Sequence, residues 1–312
     1  MPAWSRLRYA AALVLGLGAA YLIAAQGKPT APLSSNVTVS DGLPDGLKIS
    51  VFSASYQATS AHATVLVGTE VQGLAEPETG ARASGPRQLD VRYSVSGGPA
   101  AVPERAITVP LHDDATRRLA STEGVRVLTE LMLAPGRYRV RVTVSDTGSQ
   151  RAGSVVHDVD VPELTGDSPI YMSDLVVTSS AVGGLTHGQV DGDHRALPIL
   201  GQPPIAQREF AYNEQLEVHA EFYEKPTDFG LEQDIFVNTR VWSANGDLRW
   251  DTRDSGTSEA MSGGRLGYAH STLIPVSAFP PGVYNIEIEA ETLYGVTTFV
   301  SRTMPVAIVK AR

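Results

Sequence analysis

The sequence predicts an all-β protein: two tandem antiparallel β-sandwiches of the immunoglobulin or fibronectin type III kind, behind an N-terminal signal or anchor segment. Three observations carry this. Short runs rich in Val, Thr, Ile and Tyr alternate with polar residues between Gly, Pro and Asp punctuation, and no long helical stripe interrupts them. A Pro-Gly-x-Tyr turn leads into an alternating run twice, in LAPGRYRVRV (133–142) and FPPGVYNIEI (279–288). The step from Gly136 to Gly282 also carries LDVRYSV (89–95) onto IFVNTRV (235–241), so a whole module is repeated and not one local turn.

The chain begins with a basic start at Arg6 and Arg8, an apolar run from Ala10 to Ala25, and then small residues before Gly27, Lys28 and Pro29. That order reads as a signal peptide or an uncleaved N-terminal membrane anchor over 1–27. The apolar run spans about 24 Å as a helix, slightly short of a ~30 Å hydrocarbon core. Residues 28–45, rich in Pro, Ser, Thr and Gly, read as a linker. The expected location of residues 30–312 is therefore outside the cytoplasm: periplasmic, extracellular or membrane-anchored.

The first sandwich is expected over 46–163, with strands near 47–56, 63–72, 88–95, 104–111, 126–133, 138–145 and 153–161. One helical turn is expected at Ala115–Ala120, behind the capping acids Asp113 and Asp114. PELTGDSP (162–169) marks the boundary, with the linker over 164–171. The second sandwich, 172–309, begins at MSDLVVTSS and is interrupted by a long loop at 181–207. A structureless loop of that length is unusual in a compact domain, so it lies across the joint between the modules or moves freely. Strands resume near 215–223, 235–243, 248–252, 268–275, 283–291 and 296–308.

In the twin runs Tyr138, Val140, Val142 and Val144 share one face, as do Tyr284, Ile286, Ile288 and Ala290. Proline sets the first central position of the turn, and glycine accepts positive φ at the second. The tyrosine hydroxyl then reaches back to the turn backbone, as in a tyrosine corner. Outward stand Arg137, Arg139 and Arg141 in the first copy and Glu287, Glu289 and Glu291 in the second.

Several stretches resemble the C-terminal region of bacterial von Willebrand factor A-related proteins common in Acidobacteria: LMLAPGRYRVRVTVSD (131–146), GSVVHDVDVPEL (153–164), SDLVVTSS (173–180), LPILGQPPIAQREFAYNEQLEVHAEFYE (197–224) and FPPGVYNIEIEAET (279–292). The Pro-Gly-x-Tyr turn is similar to the matching corner of fibronectin type III domains. Those relatives carry a von Willebrand A domain whose metal site begins Asp-x-Ser-x-Ser. Here the nearest run, DSGTS (254–258), has Gly256 where the first serine belongs. The resemblance therefore implies the accessory β-sandwich tail and not metal-dependent adhesion.

The formal charge is −9, and residues 1–25 hold no acid, so the remainder is more acidic still. Such a surface repels phosphate backbones and argues against nucleic acid as a partner. It also argues against anionic lipid, leaving membrane contact to an uncleaved N-terminal segment. Cysteine is absent, which removes disulfides, thiolate metal sites and thiol nucleophiles. No cofactor motif is found.

Three groups invite a chemical reading. HGQVDGDHR offers His187, Asp191, Asp193 and His194 as weak metal candidates, though the spacing fits neither an EF-hand nor a zincin and a solvated loop explains it. EVHAE sets Glu217, His219 and Glu221 on one strand face, expected to be wet. With Asn245-Gly246 as a two-residue turn, Val241 is expected opposite Trp250 and Trp242 opposite Arg249. Trp242, Arg240 and Arg249 are then weak ligand-binding candidates on an outer face. The expected function is a non-catalytic binding or scaffolding protein with a protein partner. The alternatives are a carbohydrate-binding module using Trp242 and a hydrolase with dispersed residues.

Overall fold

The computed structural model describes residues 37–40, 46–59, 61–74, 87–189, 201–225, 234–261, 266–294 and 296–310. The N-terminal segment expected to be a signal or anchor lies outside them. Among the described residues no helix is long and apolar enough to cross a membrane. The described part of Leu33–Arg312 belongs to one compact unit.

The first sandwich uses β1 (Val37–Val39), β2 (Lys48–Gln57), β3 (Ala63–Gln72), β4 (Arg87–Gly97), β5 (Arg105–Leu111), α1 (Asp114–Glu123), β6 (Val125–Leu133), β7 (Gly136–Asp146) and β8 (Arg151–Val161). The second uses β9 (Ile170–Met172), β10 (Val176–Ser179), β11 (Leu185–Gln189), β12 (Glu209–Ala211), β13 (Leu216–Glu224), β14 (Asp234–Ser243), β15 (Leu248–Thr257), β16 (Glu259–Ala260), β17 (Leu266–Ile274), β18 (Gly282–Tyr294) and β19 (Val296–Val309), with a 3-10 turn at Val276–Ala278.

Four sheets result. In the first sandwich β1-β2-β3-β6-β11 faces β5-β4-β7-β8. In the second β10-β13-β17-β16, with β9 also on β13, faces β12-β19-β18-β14-β15. The alternation read from the sequence explains the cores. Val140, Val142 and Val144 meet Val65, Val67 and Val127 in the first, all sealed from solvent. Ile286, Ile288 and Ala290 meet Leu216, Val218 and Phe222 in the second. The repeated segments coincide in role: Leu89 and Val91 on β4, and Ile235 and Val237 on β14, are fully buried on the central strands next to β7 and β18.

Both tyrosine corners form. Tyr138 Oη donates to the Ala134 carbonyl at 2.9 Å and Tyr284 Oη to the Pro280 carbonyl at 2.7 Å. The turn-glycine expectation holds for Gly136, with φ +150°, and fails for Gly282, which starts its strand without positive φ. The helix is longer than expected. Asp113 caps it, accepting from the Thr116 N–H at 2.7 Å, and Gly124 ends it at φ +89°.

Three features depart from the sequence reading. Val37–Val39, in the stretch read as a linker, pairs with Ser50–Phe52 of β2. Ile170 and Tyr171, read as the end of a linker, already belong to β9 against β13. The segment read as a long loop does cross the joint. Its β11 adds to the first sandwich as a parallel strand, Leu185–Gln189 against Val125–Thr129. The end of α1 anchors it: the Leu185 N–H donates to the Gly124 carbonyl at 3.1 Å, and the Gly184 N–H to Glu123 Oε2 at 2.7 Å.

The sheet β2-β3-β6 is consequently buried on both faces. Phe52, Ala54, Tyr56, Leu66 and Leu128 point away from their own core and pack with Val176 and Ala206 of the second sandwich. Gly68 lies beneath the Phe52 ring, where a Cβ would come within 2.0 Å of a ring carbon. Asp174, between β9 and β10, accepts the Ser55 N–H through Oδ2 at 2.9 Å while its own N–H donates to the Ser55 carbonyl. Glu70 Oε1 accepts from Arg126 Nε at 3.0 Å and from the Ala206 N–H at 3.1 Å. Backbone, ionic and apolar contacts all join the two sandwiches at this face.

Candidate functional site

Three places concentrate functional groups, besides a buried serine–histidine pair, and their partners separate them. The first is the junction. Glu217, His219 and Glu221, expected on a wet face, are buried, none more than 3% exposed. The alternation was read correctly, but the second face of β13 meets a sheet and not water: Tyr56 of the first sandwich lies close enough to Glu221 to feel its charge. Burial, then the carboxylates of Glu221, Asp174 and Glu130, push the Tyr56 hydroxyl well above its ordinary range. Tyr223 Oη donates to Glu221 Oε2 at 2.6 Å. His219 Nδ1 meets Ser271 Oγ at 2.9 Å, and burial pushes its pKa down to about 4. These groups are held inside and present nothing to a ligand in solution.

A serine–histidine pair also exists. Ser53 Oγ stands 2.9 Å from His157 Nε2, and Thr38 Oγ1 stands 2.8 Å from Nδ1. The third partner is a hydroxyl where a nucleophilic triad uses a carboxylate. Burial holds His157 at about 4, too weakly basic to activate a hydroxyl near neutral pH. Both side chains are buried, so this pair closes the side of the sandwich between β2 and β8.

The second place is a polar cleft of about 270 Å³ beside the joint, lined in part by Glu70, Glu123, Arg126, Ser179, Ile205 and Glu214. Its carboxylates are engaged: Glu70 with Arg126, Glu123 with the Gly184 N–H, and Glu214 with Ser179 Oγ and the Ala211 N–H. Among the described residues no group of three His, Asp or Glu side chains is arranged to hold a metal ion. Of the sequence's metal candidates, His187 sits half-buried on β11 opposite Val127. Asp191, Asp193 and His194 lie outside the described residues.

The third place is the outer face of the sheet β12-β19-β18-β14-β15, where Trp242 and Arg240 both lie. Trp242 is half-buried, and its indole Nε1 donates to Glu287 Oε2 at 2.9 Å. Arg240 forks between Glu287 at 3.4 Å and Glu289 at 2.9 Å. Burial weakens that guanidinium's hold on its proton, but the two glutamates outweigh it and raise its pKa. Val241 stands opposite Trp250 as expected, but a bulge follows and Leu248, not Arg249, stands opposite Trp242. Arg249 instead reaches Asp247 at 3.1 Å. The bulge arises because the ladder gains one residue next to the tight Asn245-Gly246 turn, where Gly246 has φ +86°.

The same face carries what sequence reasoning missed. Arg253 lies over the Phe236 ring, 5.0 Å from its centre, and pairs with Glu291. Leu248, Val283 and Phe299 are 47, 55 and 56% exposed. A period-2 reading of β18 and β19 identifies Val283 and Phe299 as outward apolar residues, which is the signal that was available.

The sequence matches no protein-family model and no curated protein. Solved structures are similar only distantly. The C-terminal domain of Wzt shares 12% identity at a TM-score of 0.30, covering 47% of this chain and 78% of that one. A β-glucuronidase from Bacteroides uniformis shares 12% identity at a TM-score of 0.28, covering 79% of this chain and 26% of that one. Latent PorU from Porphyromonas gingivalis shares 15% identity at a TM-score of 0.29, covering 87% of this chain and 22% of that one. The chain thus spans only about a quarter of the length of the last two.

Proposed function

We propose that the chain is an exported, non-catalytic binding or scaffolding protein of the bacterial cell envelope, meeting a protein partner on the outer face of β12-β19-β18-β14-β15. One observation carries the reading. Among the described residues, three of the seven exposed large apolar side chains, Leu248, Val283 and Phe299, lie on this one face, whereas Val39, Met132 and Leu273 lie singly on β1, β6 and β17. Phe299, with Trp242 and Phe236 half-buried on the same face, supplies the aromatic side chains that protein-binding patches favour, set in a polar surround. The engagement of His157, His219 and Glu221 in internal hydrogen bonds supports a non-catalytic reading over a dispersed hydrolase.

Photo-crosslinkers at Leu248 and Val283 test it, with Thr143 on the opposite sandwich as control. Capture of one protein from the first two positions and not from Thr143 supports the patch; equal capture from all three, or from none, removes it. A carbohydrate reading rests on Trp242 beside Arg240 and Asn285. A glycan-array signal abolished by Trp242→Ala would move the reading there. Protease digestion of intact cells carrying a C-terminal tag tests export: a tag protected until the envelope is opened and the inner membrane lysed places the chain inside.

A further inference from the structure

We propose that the protein pairs with a second copy of itself through the free edge of β15, joining two sheets across a two-fold axis at Thr252. This goes beyond the proposed partner and does not depend on it.

The edges of the four sheets are managed differently. β1, β11, β12 and β16 are only three, five, three and two residues long. β5 carries Pro110. β8 is closed by His157 reaching Thr38 and Ser53. β10 is covered where the Ile205 N–H donates to the Val177 carbonyl. Such short, proline-bearing or covered edges are the common defences against strand addition. Among the described residues β15 has none of these three; it carries instead charged side chains and one bulge at its turn end, so a partner strand must match its charges. It is ten residues long, lacks proline, is largely exposed, and pairs on one side only, with β14, among the described residues.

The charges on β15 choose its occupant. Residues opposite one another in an antiparallel pair point to the same face. A two-fold axis perpendicular to the joined sheet therefore passes through a residue. An axis at Asp251 opposes Asp251 to itself and Arg249 to Arg253. An axis at Arg253 opposes that arginine to itself. An axis at Trp250 runs the pairing into the bulge at Arg249. Only the axis at Thr252 sets Asp251 opposite the second copy's Arg253 twice over, with regular pairing from Trp250 to Asp254 before Arg249 of the bulge meets Ser255. Asp251 and Arg253 are both exposed on the outer face; Arg253 gives one nitrogen to Glu291 of its own sheet and keeps its other donors for a neighbouring strand. Such an interface is isologous and closes at two copies.

Sedimentation velocity of the full chain at micromolar concentration is expected to give the mass of two chains; a single-chain mass overturns the proposal. Asp251→Arg turns both contacts into like charges and halves the mass, and Arg253→Asp does the same. The combined Asp251→Arg/Arg253→Asp chain exchanges the charges and recovers the double mass; failure to recover overturns the register. Because the chain has no cysteine, a milder variant reads the axis directly. Thr252→Cys brings two thiols opposite each other and forms an oxidised covalent dimer, while Ser255→Cys, opposite Arg249, does not. Absence of the Thr252→Cys dimer, or equal crosslinking from both positions, overturns it.

Discussion

β7 and β18 occupy the same place in their sandwiches, and each turns a charged row outward. On β7 the row is Arg137, Arg139 and Arg141; on β18 it is Glu287, Glu289 and Glu291. Each finds counter-charges on a strand of its own sheet. Arg139 meets Asp158 at 3.2 Å and Arg137 meets Asp160 at 3.7 Å, both on β8. Glu287 and Glu289 share Arg240 of β14, and Glu291 meets Arg253 of β15. The repeat has kept two counter-charges for each row of three while exchanging sign. It differs in burial: the Arg137 side chain is 89% exposed and the Arg240 side chain 26%. Only the second row is packed among aromatic side chains.

The largest effects should appear where the two sandwiches differ in their interiors. Phe52→Ala empties the contact over Gly68 at the joint, and a loss of about 3–5 kcal/mol is expected in urea denaturation. The step from Gly136 to Gly282 carries Asp146 onto Thr292, an ionic site onto a neutral one. Burial pushes the Asp146 carboxyl up, but hydrogen bonds from Arg87, Ser149 and the Gly148 N–H outweigh it and hold it below its ordinary range. Arg87 grips it at 3.0 and 2.6 Å. Asp146→Ala strands that guanidinium and should cost about 3–5 kcal/mol, whereas Thr292→Ala should cost about 1 kcal/mol. Equal losses would erase the contrast.

Acid should act on the first sandwich and on the joint together. Burial pushes His157 and His219 from the ordinary 6.5 down to about 4. Above 6.5 neither the folded nor the unfolded chain is protonated at these rings. Between 6.5 and 4 the unfolded chain binds protons that the folded chain refuses. Stability should therefore fall with pH by about 1.4 kcal/mol per unit for each ring, then level off. Denaturation midpoints across that window check the slope, and His157→Asn should remove one ring's share of it.

The surface rows should give the smallest changes. Arg240→Ala is expected to cost about 1 kcal/mol because two half-buried glutamates lose a shared partner. Arg139→Ala, on an exposed pair, should stay within about 0.5 kcal/mol. Reversing that order would mean that burial does not set the strength of these rows.

Most strands were legible because one face of each is apolar at every second residue, as at Tyr138, Val140 and Val142. The joint was not, for a physical reason. In LEVHAEFYE the polar positions alternate in the same way whether the second face meets water or another sheet. The hydroxyls and imidazole buried at the joint look like surface residues in a string of letters. β3 offered the better clue: Val65, Leu66 and Val67 run without a polar break, the mark of a strand covered on both sides. β11 was invisible because LTHGQ has no apolar face, and its place is set by backbone bonds to β6 and by Gly124. In the candidate site Trp242 and Arg240 were correctly set outward, while the bulge that removed Arg249 from Trp242 depends on turn geometry.

The parallel strand lent by the second sandwich imposes an order of assembly. Chains leave the ribosome from the N-terminus, and domains ordinarily close as they emerge. Here the earlier half must wait, its sheet short of one member and its outer aromatic ring uncovered, until a segment from beyond β10 has been made. Until Leu185 has followed, the flank of β6 has no strand beside it and the first sandwich stays incomplete.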